Sequence, residues 1–399
     1  MSFTKKLKVV WFCGFTNSFV QEKIKPWRKV GEIAPWISSL ISIFEENEHI
    51  ELHVISQHQW IASYKFFENK GIYYHFYPRG IPLIGKHWPN FLRLDFWTGY
   101  YKTKRWMKTL IKKINPDIIH MHGVENEFCE AIYQFHNKYP VFITIQGFIS
   151  KSTLNTRIIN NNKRRELELL QLFQNFGYRT ETMGREIKDF NSKANLFWHG
   201  YPVKIVDTLN KEKKFDIVFF GRVTKDKGII DLLEAVSVLS KEISSIKLCV
   251  IGGGNLELFK KIAQRLEIED SVFWTGFLPS QNDVFDLVAQ SKLCVLPTYH
   301  DIISGTIIES LFLELPVIAY NVGSIHEVNK NENIISLVEK GNIKLLTESI
   351  RELLSDEKMR TIKGKKGRKR AIEMFEEDNK NIINDLLLAY NSIIKEFIK

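Results

Sequence analysis

Two stretches of this chain carry residue types suited to a phosphorylated, hydroxyl-rich ligand. HDIISGTIIESLFLELP at His300–Pro316 sets two carboxylates, Asp301 and Glu309, eight positions apart across a Gly-containing turn and the opening of a helix. FFGRVTKDKG at Phe219–Gly228 ends an apolar run at Gly221–Arg222 and places Lys227 just ahead of the next helix. Cations and the positive end of a helix suit a diphosphate, while carboxylates accept hydrogen bonds from hydroxyls. The combination fits a nucleotide diphospho-sugar and points to sugar transfer. For either motif alone, solvated loop charges are the plain alternative. Placement argues against it here: KLCVLPT precedes Asp301 and PVIAY follows Glu309. The acids therefore lie at the carboxyl ends of apolar strands, where α/β proteins bind ligands.

Local chemistry refines that picture. Ser304 is a good N-cap and Pro316 follows the helix end. The first amides, at Gly305, Thr306 and Ile307, then face anionic oxygen. Glu309 falls about one turn inside the helix, placed for the two hydroxyls of a ribose, and Asp301 in the preceding loop is placed for sugar hydroxyls.

The elements that must hold these residues alternate between strand and helix. Apolar runs at Lys8–Gly14, Leu52–Ser56, Ile72–Tyr77, Asp117–Gly123 and Val141–Gly147 predict strands in the first half, with helices at Ala34–Glu46 and Glu125–Asn137. Runs at Asp216–Gly221, Lys247–Gly252, Val272–Gly276, Lys292–Pro297 and Val317–Asn321 do so in the second. Helical patterns at Lys227–Lys241, Leu256–Leu266, Asp283–Gln290 and Gly305–Leu313 fill the gaps. Continuous rather than alternating apolar strands indicate parallel sheets covered on both faces. The expected architecture is α/β: two Rossmann-like, doubly wound domains with a cleft between them, residues 1–200 and 201–378. Residues 379–399 carry apolar side chains at helical spacing (Ile382, Ile383, Leu386, Leu387, Tyr390, Ile393, Ile394) and need a surface to cover, expected on the N-terminal domain.

With 399 residues, each domain can bury a core of its own. Lys plus Arg exceed Asp plus Glu by 56 to 46, a net charge of +10, which favours an anionic partner. No apolar segment is long enough to span a membrane, and MSFTKKLKVVWFCGF reads as a first buried strand rather than a leader. The four cysteines (Cys13, Cys129, Cys249, Cys294) are widely spaced in apolar contexts and read as buried thiols of a cytoplasmic protein.

In order and spacing, FFGRVTKDKG, VIGGGN, WTGFLP and LPTYHDIISGTIIESLFLELPVIAYNVGSIHEV resemble the carboxyl half of the family 4 glycosyltransferases, retaining enzymes of the GT-B fold. The resemblance covers roughly residues 216–375. It implies that Arg222 and Lys227 hold the donor diphosphate, Glu309 the ribose, and Asp301 the transferred sugar near the backbone of Gly305, Thr306 and Ile307. Gly276, Phe277 and Leu278 would border the base of a UDP- or GDP-sugar. The family usually has Glu at the position of Asp301 and Gly-Phe at Ile302–Ile303. A shorter acid reaches about one methylene less far, which bears on the donor sugar rather than on the reaction.

Toward the amino end, Gly14 stands where the family has a glycine loop under the β-phosphate, as a single glycine rather than a pair. DIIHMHG at Asp117–Gly123 places two histidines on one strand face. The resemblance suggests His122, nearer the strand end, as the contact with the transferred sugar, through its side chain or its backbone carbonyl. His120 is then a packed core residue. Gln146 stands where many relatives have His, so it takes no proton-transfer role. The resemblance also implies transfer without a bound metal or cofactor, consistent with the absence of a D-x-D flanked by apolar strand residues.

Residues 98–115, TGYYKTKRWMKTLIKKIN, mix Lys102, Lys104, Arg105, Lys108, Lys112 and Lys113 with Tyr100, Tyr101 and Trp106. Such a segment suits an anionic membrane surface, and with it a lipid-linked or growing glycan acceptor and a peripheral location at the inner membrane face. An ordinary covering helix with a solvated basic face is the alternative. KGKKGRKR at Lys363–Arg370 lacks interleaved aromatics, so nucleic-acid binding is not expected. Other readings of the whole chain are a nucleotide-sugar epimerase or hydrolase of the same fold, and a dinucleotide-dependent oxidoreductase prompted by VIGGGN, which lacks G-x-G-x-x-G.

Overall fold

The computed structural model describes residues 6–24, 34–58, 61–79, 81, 93–125, 127–151 and 155–399. The chain divides into two compact units, residues 1–203 with 378–399, and residues 204–377.

Unit 1 is built on strands β1 (Leu7–Phe12), β2 (Ile50–His58), β3 (Lys65–Asn69), β4 (Ile72–Pro78), β5 (Ile118–His122), β6 (Val141–Thr144), β7 (Asn175–Tyr178) and β8 (Asn195–Trp198). Their order is β3-β4-β2-β1-β5-β6-β7-β8. All pairs are parallel except β3 with β4, which form a hairpin closed by Lys70 and Gly71 at φ 48° and 75°. The helices are α1 (Ser18–Ile24), α2 (Pro35–Ser42), α3 (Leu94–Trp97), α4 (Tyr101–Ile114), α5 (Arg157–Leu172) and α6 (Glu181–Phe190). Glu127–Phe135, expected as an α-helix, is a 3-10 segment instead.

Unit 2 holds β9 (Phe215–Phe220), β10 (Leu248–Ile251), β11 (Val272–Gly276), β12 (Ser291–Leu296), β13 (Val317–Tyr320) and β14 (Ser336–Val338) in the order β11-β10-β9-β12-β13-β14. All five neighbouring pairs run parallel. Its helices are α7 (Ile229–Ser240), α8 (Leu256–Arg265), α9 (Gln281–Ala289), α10 (Gly305–Phe312) and α11 (Ile343–Ser355). FDIVFF and SKLCVL supply the central pair, whose last four residues are all buried, as a sheet covered on both faces requires. The strand order is that of the doubly wound nucleotide-binding fold, and its topological switch falls between β9 and β12. In unit 1 the corresponding switch lies between β1 and β5.

Helix α12 (Glu357–Ile398) runs on from unit 2 and completes unit 1. Ile382, Leu386, Tyr390 and Ile393 are buried among Val9, Trp11, Leu52 and Phe142. Each such side chain contributes on the order of 1.5–3 kcal/mol by leaving water. The Lys363–Arg370 run is only partly a solvated face. Arg368 donates to the carbonyls of Val206 and Phe312, and Arg370 to those of Glu327 and Val328. Gly364 lets the helix approach closely, since a Cβ there would come within 2.1 Å of the Glu314 carbonyl oxygen.

Candidate functional site

Two loops leave the carboxyl ends of β9 and β12, the strands flanking the switch point of unit 2. The first carries Arg222 and Lys227, the second Asp301. Lys227 Nζ donates to Asp301 Oδ2 at 2.5 Å, with side chains 15% and 19% exposed. Both are largely desolvated, so the attraction is stronger than at an open surface, yet neither is closed off from solvent. Gly228 makes the approach of the loops possible. Its φ is +76°, and a Cβ would come within 1.9 Å of the Pro297 carbonyl oxygen. Arg222 takes no part in this pair. Its side chain is 74% exposed and lies 4.0 Å from Asp226.

Helix α10 opens directly after Asp301. Ser304 is its N-cap by position, but its hydroxyl makes no capping hydrogen bond. Thr306 Oγ1 donates instead to the Phe220 carbonyl at 2.8 Å, tying the helix start to the end of β9. With Thr306 committed and the Ile307 side chain fully buried, the ligand-facing chemistry of residues 305–307 rests on backbone amides and on exposed Gly305. Glu309 accepts from Gln281 Nε2 at 3.0 Å. Burial pushes its carboxyl up to about 7, against the lowering effects of Gln281 and Lys204.

At the end of β11, Gly276 has φ +71°, Phe277 exposes 66% of its surface, and Leu278 is half-buried. Phe277 lies beside Gly253, in the loop that leaves β10. An exposed ring at the carboxyl edge of the sheet offers a stacking face to a base.

In unit 1, Gly14 and His122 follow or end the two strands of that unit's switch point. A Cβ at Gly14 would lie 3.7 Å from the Phe128 ring, an ordinary contact. His122 is 1% exposed and packs against Trp11, His120 and His199, with ring centroids 4.7, 3.8 and 5.7 Å away. Its side chain therefore lies in the core, 3.3 Å from the Tyr201 hydroxyl through Nδ1. Among the described residues, neither its Nε2 nor that of His199 finds a hydrogen-bond partner. Burial holds His120 and His122 well below the usual histidine range and His199 down at about 3, so all three are neutral at pH 7. His120 is a core residue as expected. Its Nδ1 meets the Tyr390 hydroxyl at 2.7 Å and its Nε2 the Thr144 hydroxyl at 2.5 Å. The Gln146 amide reaches Tyr201 at 3.1 Å.

The three histidines are a cluster whose ring nitrogens lie within 4.8 Å of one another. With both nitrogens of His120 committed, two donors remain, short of the four ligands that a structural zinc takes. Sequence reasoning missed His199, Tyr201 and Gln281. The first two follow β8, a strand with no continuous apolar run to announce it.

Helix α4 turns Thr103, Met107, Leu110, Ile111 and Ile114 into the unit and leaves Arg105, Lys108, Lys112 and Lys113 exposed. Nearby Trp97 and Tyr101 are 61% and 65% exposed, and Arg157 stacks over Trp97 at 4.2 Å. Among the described residues, no helix is long and apolar enough to cross a membrane.

Both units are doubly wound α/β folds, and the second carries charged loops at its switch point, where this class of fold binds ligands. Residues 203–370, most of unit 2, match the family described as "Glycosyl transferases group 1", and the two parallel-sheet units have the GT-B fold. The chain is 27% identical over 264 residues to the capsular polysaccharide biosynthesis glycosyltransferase CapM of Staphylococcus aureus, covering 65% of this chain and 64% of that one. To N-acetyl-alpha-D-glucosaminyl L-malate synthase of Bacillus anthracis it is 21% identical over 356 residues, 83% and 92% of the two chains. The sucrose-phosphate synthase of Thermosynechococcus elongatus has the same fold, with a TM-score of 0.76 at 16% identity over 97% of this chain and all of that one. So does Anabaena HepE, solved with UDP and glucose, with a TM-score of 0.66 at 14% identity over 95% and 99%.

Proposed function

We propose that the chain transfers a sugar, with retention, from a UDP- or GDP-sugar to a glycan or lipid-linked acceptor in surface polysaccharide assembly. The observation that carries this reading is the Lys227–Asp301 pair at the β9/β12 switch point, beside the opening of α10. The relatives' names, capsular polysaccharide above all, support the acceptor class.

In this reading Lys227, with Arg222 swinging in from its exposed position, meets the donor diphosphate. The amides that open α10 add their partial positive charge. Glu309 takes the ribose, Asp301 the sugar hydroxyls, and Phe277 between Gly276 and Leu278 covers the base. Unit 1 takes the acceptor. There Gly14 lies under the β-phosphate, and His122 meets the transferred sugar through its backbone carbonyl, because its ring is buried. The bond between the anomeric carbon and the diphosphate oxygen breaks with its electron pair on the diphosphate. The acceptor hydroxyl oxygen bonds to the same carbon on the same face, and its proton passes to the departing phosphate oxygen. The side-chain cations and helix amides stabilise that leaving group, so the chemistry asks for neither a metal nor a cofactor.

The exposed basic face of α4 suits anionic headgroups at an inner membrane surface, with Trp97 and Tyr101 at the interface. Because the apolar stripe of α4 is already buried, attachment there is electrostatic rather than by insertion.

The decisive experiment screens UDP- and GDP-sugars for thermal stabilisation of the whole protein, then incubates the best donor with glycan and lipid-linked acceptors and determines the anomeric configuration of the product. A retained α-linkage made in the presence of a chelator supports the reading. Stabilisation by no nucleotide sugar, or an inverted product, defeats it.

A further inference from the structure

A buried carboxylate behind the donor site has no part in the assignments above. Asp231 lies in the first turn of α7 and is 7% exposed. Its Oδ2 accepts from two phenols at once, Tyr299 at 2.7 Å and Tyr320 at 2.6 Å. Tyr320 is the fully buried last residue of β13, and Tyr299 is half-buried in the loop two residues before Asp301. The two rings meet edge to face with centroids 5.6 Å apart.

We infer that Asp231 and Tyr299 are positioning residues that fix the Lys227 loop to the Asp301 loop, given that this pair grips the donor as proposed. Three contacts converge on that junction. Tyr299 N–H donates to the Asp226 carbonyl at 2.8 Å, directly before Lys227. Thr298 Oγ1 donates to the same carbonyl at 3.4 Å. Gly228, directly after Lys227, presses against Pro297. The Asp231–Tyr299 bond is the only side-chain tie among these that reaches back to helix α7, so it sets the loops against a rigid element. Tyr320 anchors the same carboxylate to the sheet.

Charge makes the tie dependable. A carboxylate in the first turn of a helix is favoured by the dipole, and its oxygen has lone pairs for two donors at once. Burial and Asp231 together push the Tyr299 hydroxyl up to about 12, and they push Tyr320 up as well. Both phenols thus remain donors throughout the neutral range. A hydrogen bond to a charged group is also stronger than one between neutral groups. Small displacements at such a junction matter, since misplacement by about 1 Å costs up to a hundredfold in a catalytic site.

The test uses the full chain and free UDP and GDP as probes, with binding constants measured by calorimetry and donor and acceptor KM measured separately. Tyr299→Phe removes one hydroxyl at a half-buried position, and Asp231→Asn keeps an acceptor but removes the charge. Both are expected to raise the diphosphate Kd and the donor KM in parallel, about tenfold, with acceptor KM unchanged. A merely structural bond would lower the melting temperature while leaving the affinity of the folded protein alone. That pattern in both variants, alongside a Lys227→Ala variant that does lose diphosphate affinity, overturns the inference and spares the donor-site reading. If Lys227→Ala binds as wild type does, or wild type binds neither diphosphate, the donor-site reading falls and the inference with it.

Discussion

Lys227 and Asp301, 74 positions apart in sequence, form an ion pair at 2.5 Å. The residue read as holding the diphosphate is thus occupied by the residue read as holding the sugar. In the proposed reading, a donor replaces one anion with another at Lys227 and so releases the Asp301 carboxylate for hydroxyls. That reading couples occupation of the phosphate position to readiness for the sugar.

Substitutions at the two ends of this pair should separate. Lys227→Ala is expected to weaken nucleoside diphosphate binding at least tenfold, the loss of one charge-assisted contact. Asp301→Asn should leave free diphosphate affinity equal or improved, because Lys227 loses its competitor, while sugar transfer drops sharply. Calorimetry with UDP and GDP beside a transfer assay checks both. Equal losses of diphosphate affinity in the two variants would show that Asp301 supports the phosphate position instead.

In the proposed reading, Glu309 makes donor binding sensitive to pH. Its carboxyl is pushed up to about 7 by burial, so it ionises across the neutral range, and only the ionised form accepts from both ribose hydroxyls. Donor affinity should therefore rise with pH through about 7, and Glu309→Gln should flatten the profile. Stability moves the other way. A raised carboxyl contributes stability that is present below its unfolded value and lost as pH rises through its folded one. The stability advantage of wild type over Glu309→Gln should shrink between pH 5 and 8, as read from urea midpoints.

The histidine cluster has the opposite sign. His199 is held at about 3, and His120 and His122 well below their ordinary value, chiefly by burial. Below about pH 6.5 the unfolded chain takes up protons that the folded chain refuses, so stability falls as pH falls toward the folded values. Each group contributes up to about 1.4 kcal/mol per pH unit. The stability gap between wild type and His199→Gln should narrow from pH 7.5 to pH 5. A gap that widens would mean these rings accept protons in the folded state.

Tyr390 ties α12 to the sheet of unit 1. Its hydroxyl accepts from Trp11 Nε1 at 2.9 Å and meets His120 Nδ1. Tyr390→Phe leaves both partners buried without it and should cost about 1–3 kcal/mol. Ile382→Ala, which opens a cavity in the same core, should cost about 2–5 kcal/mol. Equilibrium denaturation measures each.

Reversing the charge of Arg105, Lys108 and Lys112 should abolish co-sedimentation with vesicles rich in anionic phospholipid. Transfer to a short water-soluble acceptor should survive. Wild-type binding to those vesicles that persists in high salt would contradict an electrostatic attachment.

Much of the fold was readable because buried parallel strands are continuous apolar runs. LKVVWF, IIHMH, FDIVFF and SKLCVL announce β1, β5, β9 and β12, the strands that flank both switch points. Strands β7 and β8, NFGY and NLFW, are four residues long with Asn at the start and only partial burial, so no run marks them. Strand β3 pairs through a Lys70–Gly71 turn, without the Asn-Gly signature that betrays such hairpins. At the site, the acid at position 301 and the lysine at 227 were visible as types. That they touch each other was not, because the contact depends on how β9 and β12 lie side by side. Asp231, Tyr299 and Tyr320 stayed hidden for the same reason: sequence separations of 68 and 89 leave no local pattern. Ser304 shows the converse, a residue with a strong capping preference whose hydroxyl does not cap.

Helix α12 gives the chain an order of assembly. Residues 378–399 complete the core around Trp11, yet they leave the ribosome only after every residue of unit 2 has been made. The later half can therefore close its core first, during synthesis, while the earlier half waits with an open apolar seam that α12 later covers. A nascent chain halted before residue 378 should be protected from protease in its second half and cleaved in its first.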